Sequence, residues 1–189
     1  MRFNFFFFAL LISSFCFSQI KDAQKTEIIK TNNGFQLLRN GEPYYIKGAG
    51  GTEYLGILKS IGGNSIRTWS TANAKKILDD AYANGISVCL GLWVGHERHG
   101  FNYNDEYAIT AQLKAFEQDI LKYKDHPALL MWAVGNEVDL FYKNFRVWNA
   151  VEEIAKMIKE IDPNHPTMTV TAGIDPAEVF MIKTDEPKA

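Results

Sequence analysis

Cysteine is nearly absent: the 189 residues contain two, Cys16 and Cys89. The first lies in a segment expected to be removed, so no disulfide is available and stability has to come from a hydrophobic core. Cys89 sits inside the apolar run Val88-Cys89-Leu90, where a lone thiol serves packing rather than chemistry. An excess of one charge is lacking too. Lys and Arg number 20 against 22 Asp and Glu, a net charge of −2, and the two signs are interspersed. No basic face or stripe results, which argues against a nucleic-acid partner. There is no glycine-rich phosphate loop, so the dinucleotide-binding version of an α/β fold is excluded.

What is present is a globular composition, 47% apolar and 13% aromatic. The amino-terminal end stands apart. A basic start, Met1-Arg2, precedes an apolar run from Phe5 to Phe15 and then Cys16-Phe17-Ser18, with small residues at alternate positions. This is the pattern of a secretory signal cleaved after Ser18, so residues 1–18 are expected to be removed and the mature chain exported, secreted or periplasmic. A membrane anchor is the alternative, but the run falls short of a full span, and no stable insertion is expected after cleavage. A lipid anchor on Cys16 is disfavoured by Phe15, which stands where a small residue should be. Nothing in the sequence sets an oligomeric state.

Residues 19–43 form an expected β-hairpin. Glu27-Ile28-Ile29 and Phe35-Gln36-Leu37-Leu38 are short strands around the turn Asn32-Asn33-Gly34. Asn40-Gly41 is the dipeptide of a turn with positive φ at both central positions. The hairpin leads into the strand-helix region that begins at Tyr44 and plugs its bottom.

From Tyr44 to Ala189 apolar strands alternate with amphipathic helices. The expected strands are Tyr44–Gly48, Asn64–Trp69, Ile86–Val94, Ala128–Asn136 and Thr167–Thr171. The helices run from about Glu53 to Ser60, Ala74 to Asn84, Glu106 to Lys122 and Arg146 to Ile161, and Asp175-Pro176-Ala177-Glu178 opens another with capping chemistry. Five strand-helix units in series favour an α/β (β/α)8 barrel, present here as a truncated, partial barrel, over a doubly wound sheet. Two open edges would then expose apolar surface.

In this register Arg67, Trp69, Trp93, His96, Asn136 and Glu137 fall at or just beyond the carboxyl ends of their strands, where such barrels keep their chemistry. The sharpest signal is Met131-Trp132-Ala133-Val134-Gly135-Asn136-Glu137, an apolar strand that ends abruptly in an amide and a carboxylate. Glu137 is the candidate catalytic acid; the alternative is a solvated glutamate at a helix start.

Several motifs in order resemble glycoside hydrolase family 2. Phe35 to Gly48, as F-x-L-x-x-N-G-x-x-x-x-x-K-G, resembles the entry to its catalytic barrel. Gly63-Asn64-Ser65-Ile66-Arg67-Thr68 resembles its second-strand signature, His126 to Glu137 its fourth, and Asp162-Pro163-Asn164-His165-Pro166 its approach to the fifth. The resemblance implies a retaining glycosidase with Glu137 as acid/base, Asn136 bonding the sugar hydroxyl beside the anomeric carbon, and Arg67 supporting the site carboxylates. It also implies a nucleophilic Glu after a seventh strand, for which these residues have no position. Departures are the short lead before the barrel, where the family carries β-sandwich domains, and Trp69-Ser70 after Arg67-Thr68. These point to a sandwich-free relative, nearer to the β-glucan hydrolases or glucanosyltransferases of the same clan.

Retaining hydrolysis needs two carboxyl groups about 5–5.5 Å apart, and no cofactor or metal. Arg67 is either a site residue or an ordinary ion-pair partner, and Trp69 and Trp93 are either sugar-stacking platforms or core filler. The loop Gly95 to Asp105, with His96 and His99, leaves the functional edge and is polar and aromatic. It shapes substrate subsites or is simply solvated, and its His-Glu-Arg-His spacing is not that of a zinc protease. Asp139 and Tyr142 are further candidates for the cleft. The function expected is a secreted glycosidase acting on oligo- or polysaccharides, as a fragment inactive alone. The alternatives are a glucanosyltransferase and a carbohydrate-binding pseudoenzyme.

Overall fold

The computed structural model describes residues 24–173. The expected signal segment and the helix opening at Asp175 lie outside them.

The chain opens on a small antiparallel sheet of β1 (Thr26–Thr31), β2 (Gly34–Arg39) and β3 (Glu42–Pro43). Asn40 and Gly41, between β2 and β3, have φ of 53° and 80°, the doubly positive turn that their side chains permit. This sheet lies against the amino-terminal ends of the barrel strands. Arg39 donates to the carbonyl of Pro127 at 2.8 Å, and the Thr26 amide donates to the carbonyl of Asn164. Leu37 and Tyr44 pack on Cys89, Leu130, Met131 and Ala133, a cluster separate from the main core.

Five parallel strands come next, in sequential order: β4 (Gly48–Gly50), β5 (Ser65–Arg67), β6 (Ser87–Leu92), β7 (Leu129–Val134) and β8 (Thr167–Thr169). Between them run α1 (Leu55–Ser60), α2 (Ala74–Ala83), α3 (Glu106–Tyr123) and α4 (Arg146–Ile161). A doubly wound sheet reverses its order at a switch point, and this one does not. The order is that of consecutive strands of a barrel.

β6 and β7 are buried at every position, as strands covered on both faces must be. The main core lies between sheet and helices. There α4 contributes Val147, Trp148, Ala150, Val151, Ile154 and Ile158, spaced so that one stripe faces the strands. Each large apolar side chain among them contributes about 1.5–3 kcal/mol of gross apolar burial.

The first barrel strand begins four residues later than the sequence suggests. The Tyr44 amide still bonds Leu37, and its hydroxyl bonds the carbonyl of Asn64 at 2.9 Å and lies 3.0 Å from the Ser87 hydroxyl. The Lys47 amide then bonds the Asn64 side chain. Tyr44 to Lys47 thus cross the underside before a strand can form. The second to fifth strands each end two residues earlier than expected, at Arg67, Leu92, Val134 and Thr169.

Candidate active site

Strands β5, β6 and β7 end side by side, and each delivers polar or aromatic residues to the same edge. Arg67 is the last residue of β5 and Trp69 lies two beyond it. Trp93 directly follows β6, and Asn136 and Glu137 lie two and three residues past β7. Gly135, with φ of 79°, turns the chain out of β7 so that the Asn-Glu pair leaves the sheet plane. Glu137 is itself left-handed, φ 52°, and Phe141 follows at 59°. For non-glycine residues that conformation costs about 1–2 kcal/mol each, and it concentrates at functional sites.

All seven sequence-derived site residues converge. The Arg67 guanidinium donates to the side-chain oxygen of Asn136 at 2.7 Å and lies 5.7 Å from the centre of the Trp69 ring. His96 Nε2 lies 2.6 Å from the Asn136 carbonyl. A carbonyl only accepts, so Nε2 carries the proton in the neutral ring. The ring of His96 packs on Trp93 at 4.6 Å and on His99 at 5.0 Å, and Trp93 and His99 are nearly parallel at 6.4 Å.

Trp69 and Trp93 are each more than two-fifths exposed among the described residues, so part of each indole surface is accessible. His96, by contrast, is buried behind them and holds the Asn136 backbone. Burial pushes its imidazole below the usual histidine pKa, assisted by Arg98 and His99. The bond to Asn136 and the negative charge of Glu137 pull the other way. Glu137 is half-buried, and its carboxylate makes no hydrogen bond or ion pair among the described residues.

Two expected cleft residues turn elsewhere. Asp139 is buried and accepts from the Ala172 amide at 2.8 and 3.0 Å, tying the loop after β7 to the loop after β8. Tyr142 packs edge-on against Phe145 and Trp148, beside the main core.

The loop after β6 is rigidly built. Its first turn is a short 3-10 helix, Glu97–His99. Tyr103 is fully buried and its hydroxyl bonds the Gly95 carbonyl, while the Gly95 amide donates to Gln112 at 2.6 Å. Burial holds the Tyr103 phenol well above its usual pKa, so it stays a donor. The parts of this loop that sequence alone does not resolve are Glu97 and Arg98. Glu97 accepts from the backbone amides of Lys143 and Asn144, and Arg98 donates to the carbonyls of Glu137 and Leu140. Their only sequence signal is two opposite charges inside a loop that leaves the functional edge. Among the described residues, no three His, Cys, Asp or Glu side chains group so as to hold a metal ion.

Comparison with known proteins bears on the family and the fold. Residues 53–186 match the model of "Glycosyl hydrolases family 2, TIM barrel domain". The β-glucuronidase of Paenibacillus borealis is 28% identical over 162 residues, covering 72% of this chain and 27% of that protein. Human β-glucuronidase is 23% identical over 155 residues, covering 72% and 23%. Among solved structures, Faecalibacterium prausnitzii β-glucuronidase superposes with a TM-score of 0.66 at 18% identity, over 84% of this chain and 30% of that one. A family 2 member from Bacteroides cellulosilyticus DSM 14838 gives 0.60 at 21% identity, over 85% and 23%. The chain thus spans about a quarter of the length of the curated relatives it matches. With the family model covering more than half of its residues, the chain belongs to glycosyl hydrolase family 2 and carries part of that family's TIM barrel domain.

Proposed function

We propose that the protein is an exported retaining β-glycosidase in which Glu137 is the general acid/base. The observation that carries this is the Asn136-Glu137 pair itself. It stands at the carboxyl edge of β7, the edge that also carries Trp69 and Trp93; its amide is bonded by Arg67, and its carboxylate has no hydrogen-bond or ion-pair partner among the described residues.

In the first step Glu137 gives its proton to the glycosidic oxygen while a second carboxylate attacks the anomeric carbon and the leaving alcohol departs. The ionised Glu137 then takes a proton from water, which releases the sugar from that carboxylate. Resemblance places the nucleophile after a seventh strand, outside these residues. Because Asn136 Oδ1 accepts from Arg67, its NH2 group faces away from that bond and is free to donate to the hydroxyl beside the anomeric carbon. Trp69 and Trp93 offer apolar surface to the C–H faces of the pyranose.

The Paenibacillus and human relatives are β-glucuronidases, so β-D-glucuronides are the first substrates to test. Export rests on the basic, apolar and small-residue pattern of residues 1–18.

The test is Glu137→Gln in the native protein, assayed on paired methyl and 4-nitrophenyl β-D-glycosides, beginning with the glucuronides. Turnover should fall by about 10²-fold or more on substrates with poor leaving groups, and azide should restore part of it on the nitrophenyl substrate. An undiminished rate removes Glu137 from the chemistry.

A further inference from the structure

Glu137 is held by its backbone and not by its carboxylate. We propose that Arg98 and Glu97 are positioning residues that lock the loop after β7 and so aim the Glu137 side chain, an inference that rests on the proposed acid/base role of Glu137.

The loop needs such a lock. Within seven residues Gly135, Glu137 and Phe141 all adopt positive φ, two of them without being glycine. A backbone of that kind persists only where its surroundings over-determine it. Phe141 is 77% exposed, so its own side chain contributes little to holding the turn.

The turn after β6 supplies the hold at both ends. Arg98 Nη1 donates to the carbonyl of Glu137 and to that of Leu140, 3.4 Å away. One residue earlier, Glu97 Oε2 accepts from the amides of Lys143 at 2.6 Å and Asn144 at 2.9 Å. These two amides hold the Glu97 carboxyl below the usual carboxylate range, so it remains an acceptor through the neutral and mildly acid region. A guanidinium that only donates grips carbonyls, and a carboxylate that only accepts grips amides. Neither role can be exchanged with the other.

The far side of the loop is held independently. The Glu137 amide donates to the Val170 carbonyl at 2.7 Å, and Asp139 accepts from Ala172. Glu137 is thus fixed through its amide by the loop after β8 and through its carbonyl by Arg98, leaving only its side-chain torsions free. A displacement of about 1 Å at a reacting group costs on the order of a hundredfold in rate, so this fixing has a kinetic consequence.

The experiment compares Arg98→Ala, Arg98→Lys and Glu97→Gln, each alone and combined with Glu137→Gln, in the native protein. Substrates are the 4-nitrophenyl and methyl glycosides of the sugar that the wild type cleaves best. Protonation matters most for the methyl glycoside, whose leaving group is poor. Arg98→Ala should therefore lower kcat by about tenfold to a hundredfold on it, and by clearly less on the nitrophenyl glycoside, with KM changed by less than about threefold. Arg98→Lys should recover part of the loss, since an ammonium still reaches one carbonyl. On the Glu137→Gln background Arg98→Ala should add nothing, because it acts only through Glu137. Equal losses on both leaving groups, or losses that multiply with Glu137→Gln, would overturn the positioning role. Should Arg98→Ala fail to fold, Arg98→Lys and Glu97→Gln carry the same comparison. Full activity of Glu137→Gln alone instead overturns the acid/base role, and this inference with it.

Discussion

The guanidinium of Arg67 and the side-chain oxygen of Asn136 meet at 2.7 Å across a strand that belongs to neither of them, since β6 lies between β5 and β7. The bond decides which end of the amide faces a ligand. With its oxygen engaged by Arg67, Asn136 presents donors. Asn136→Asp keeps an acceptor for Arg67 but loses both donors, so kcat/KM should fall by about 10²-fold without loss of folding. Steady-state kinetics with a thermal melt alongside measures this. Wild-type kcat/KM in Asn136→Asp would show that the amide protons touch nothing that matters to the reaction.

Stability below the site depends on a different pair. Asp162, at the end of α4, accepts from the Trp132 indole at 2.7 Å and from His165 Nδ1 at 2.8 Å, and its other oxygen accepts from the Asn164 amide. Both Asp162 and His165 side chains are essentially inaccessible to water. Asp162→Ala leaves an indole N–H and an imidazole buried without an acceptor, and should cost about 3–5 kcal/mol. A urea titration reads it as a lower midpoint at unchanged slope. A change below about 1 kcal/mol would mean that the cluster relaxes or admits water.

How far the sequence carries depends on the range of the interaction. The five strands, the hairpin turn at Asn40-Gly41 and the edge holding Arg67, Trp69, Trp93, Asn136 and Glu137 follow from periodicity and local turn chemistry, which act over a few residues. Tyr44 escapes such a reading. Its partners Asn64 and Ser87 lie 20 and 43 positions away, and only the closed underside of the sheet makes it a plug rather than a strand. Asp139 and Tyr142 are misassigned to the cleft for a related reason. The loop after β7 takes left-handed conformations at Glu137 and Phe141, and neither residue carries a local signal for that conformation. Glu97 and Arg98 show only as charges in a loop, because the backbone groups they bond have no side-chain identity to read.

Acid should destabilise the site edge through two adjacent groups. His96 has a folded pKa below its usual value, so the unfolded chain binds the proton more readily, and its contribution is present above about pH 6.5 and lost as pH falls below that. Glu97 is also depressed, so its contribution is present above about pH 4.5 and lost as pH falls through its lower folded value. Denaturant unfolding from about pH 7 down to about pH 3 should therefore show stability falling in two stages. His96→Gln should remove the upper stage alone. An upper stage that survives this substitution would assign it to another group.

Two glycines separate steric from conformational cost. Gly91 lies in β6 with an ordinary backbone, but a Cβ there would stand 2.5 Å from the Thr68 carbonyl oxygen and the Trp69 carbonyl carbon. The Gly91 amide in turn donates to the Thr68 hydroxyl at 2.9 Å, so the chain leaving β5 is pressed onto β6 at this point. Gly100 is the opposite case, with φ of 91° and nothing within 4 Å of the added carbon. Gly100→Ala should cost about 1 kcal/mol, the penalty of a left-handed alanine in open space. Gly91→Ala meets backbone, which cannot swing aside as a side chain can, and should cost about 1–3 kcal/mol or more. It should also move the Trp69 indole, whose emission and accessibility to acrylamide will change in Gly91→Ala and not in Gly100→Ala. If the two variants are equally stable, or the order is reversed, the close approach of β5 to β6 is not what positions Trp69.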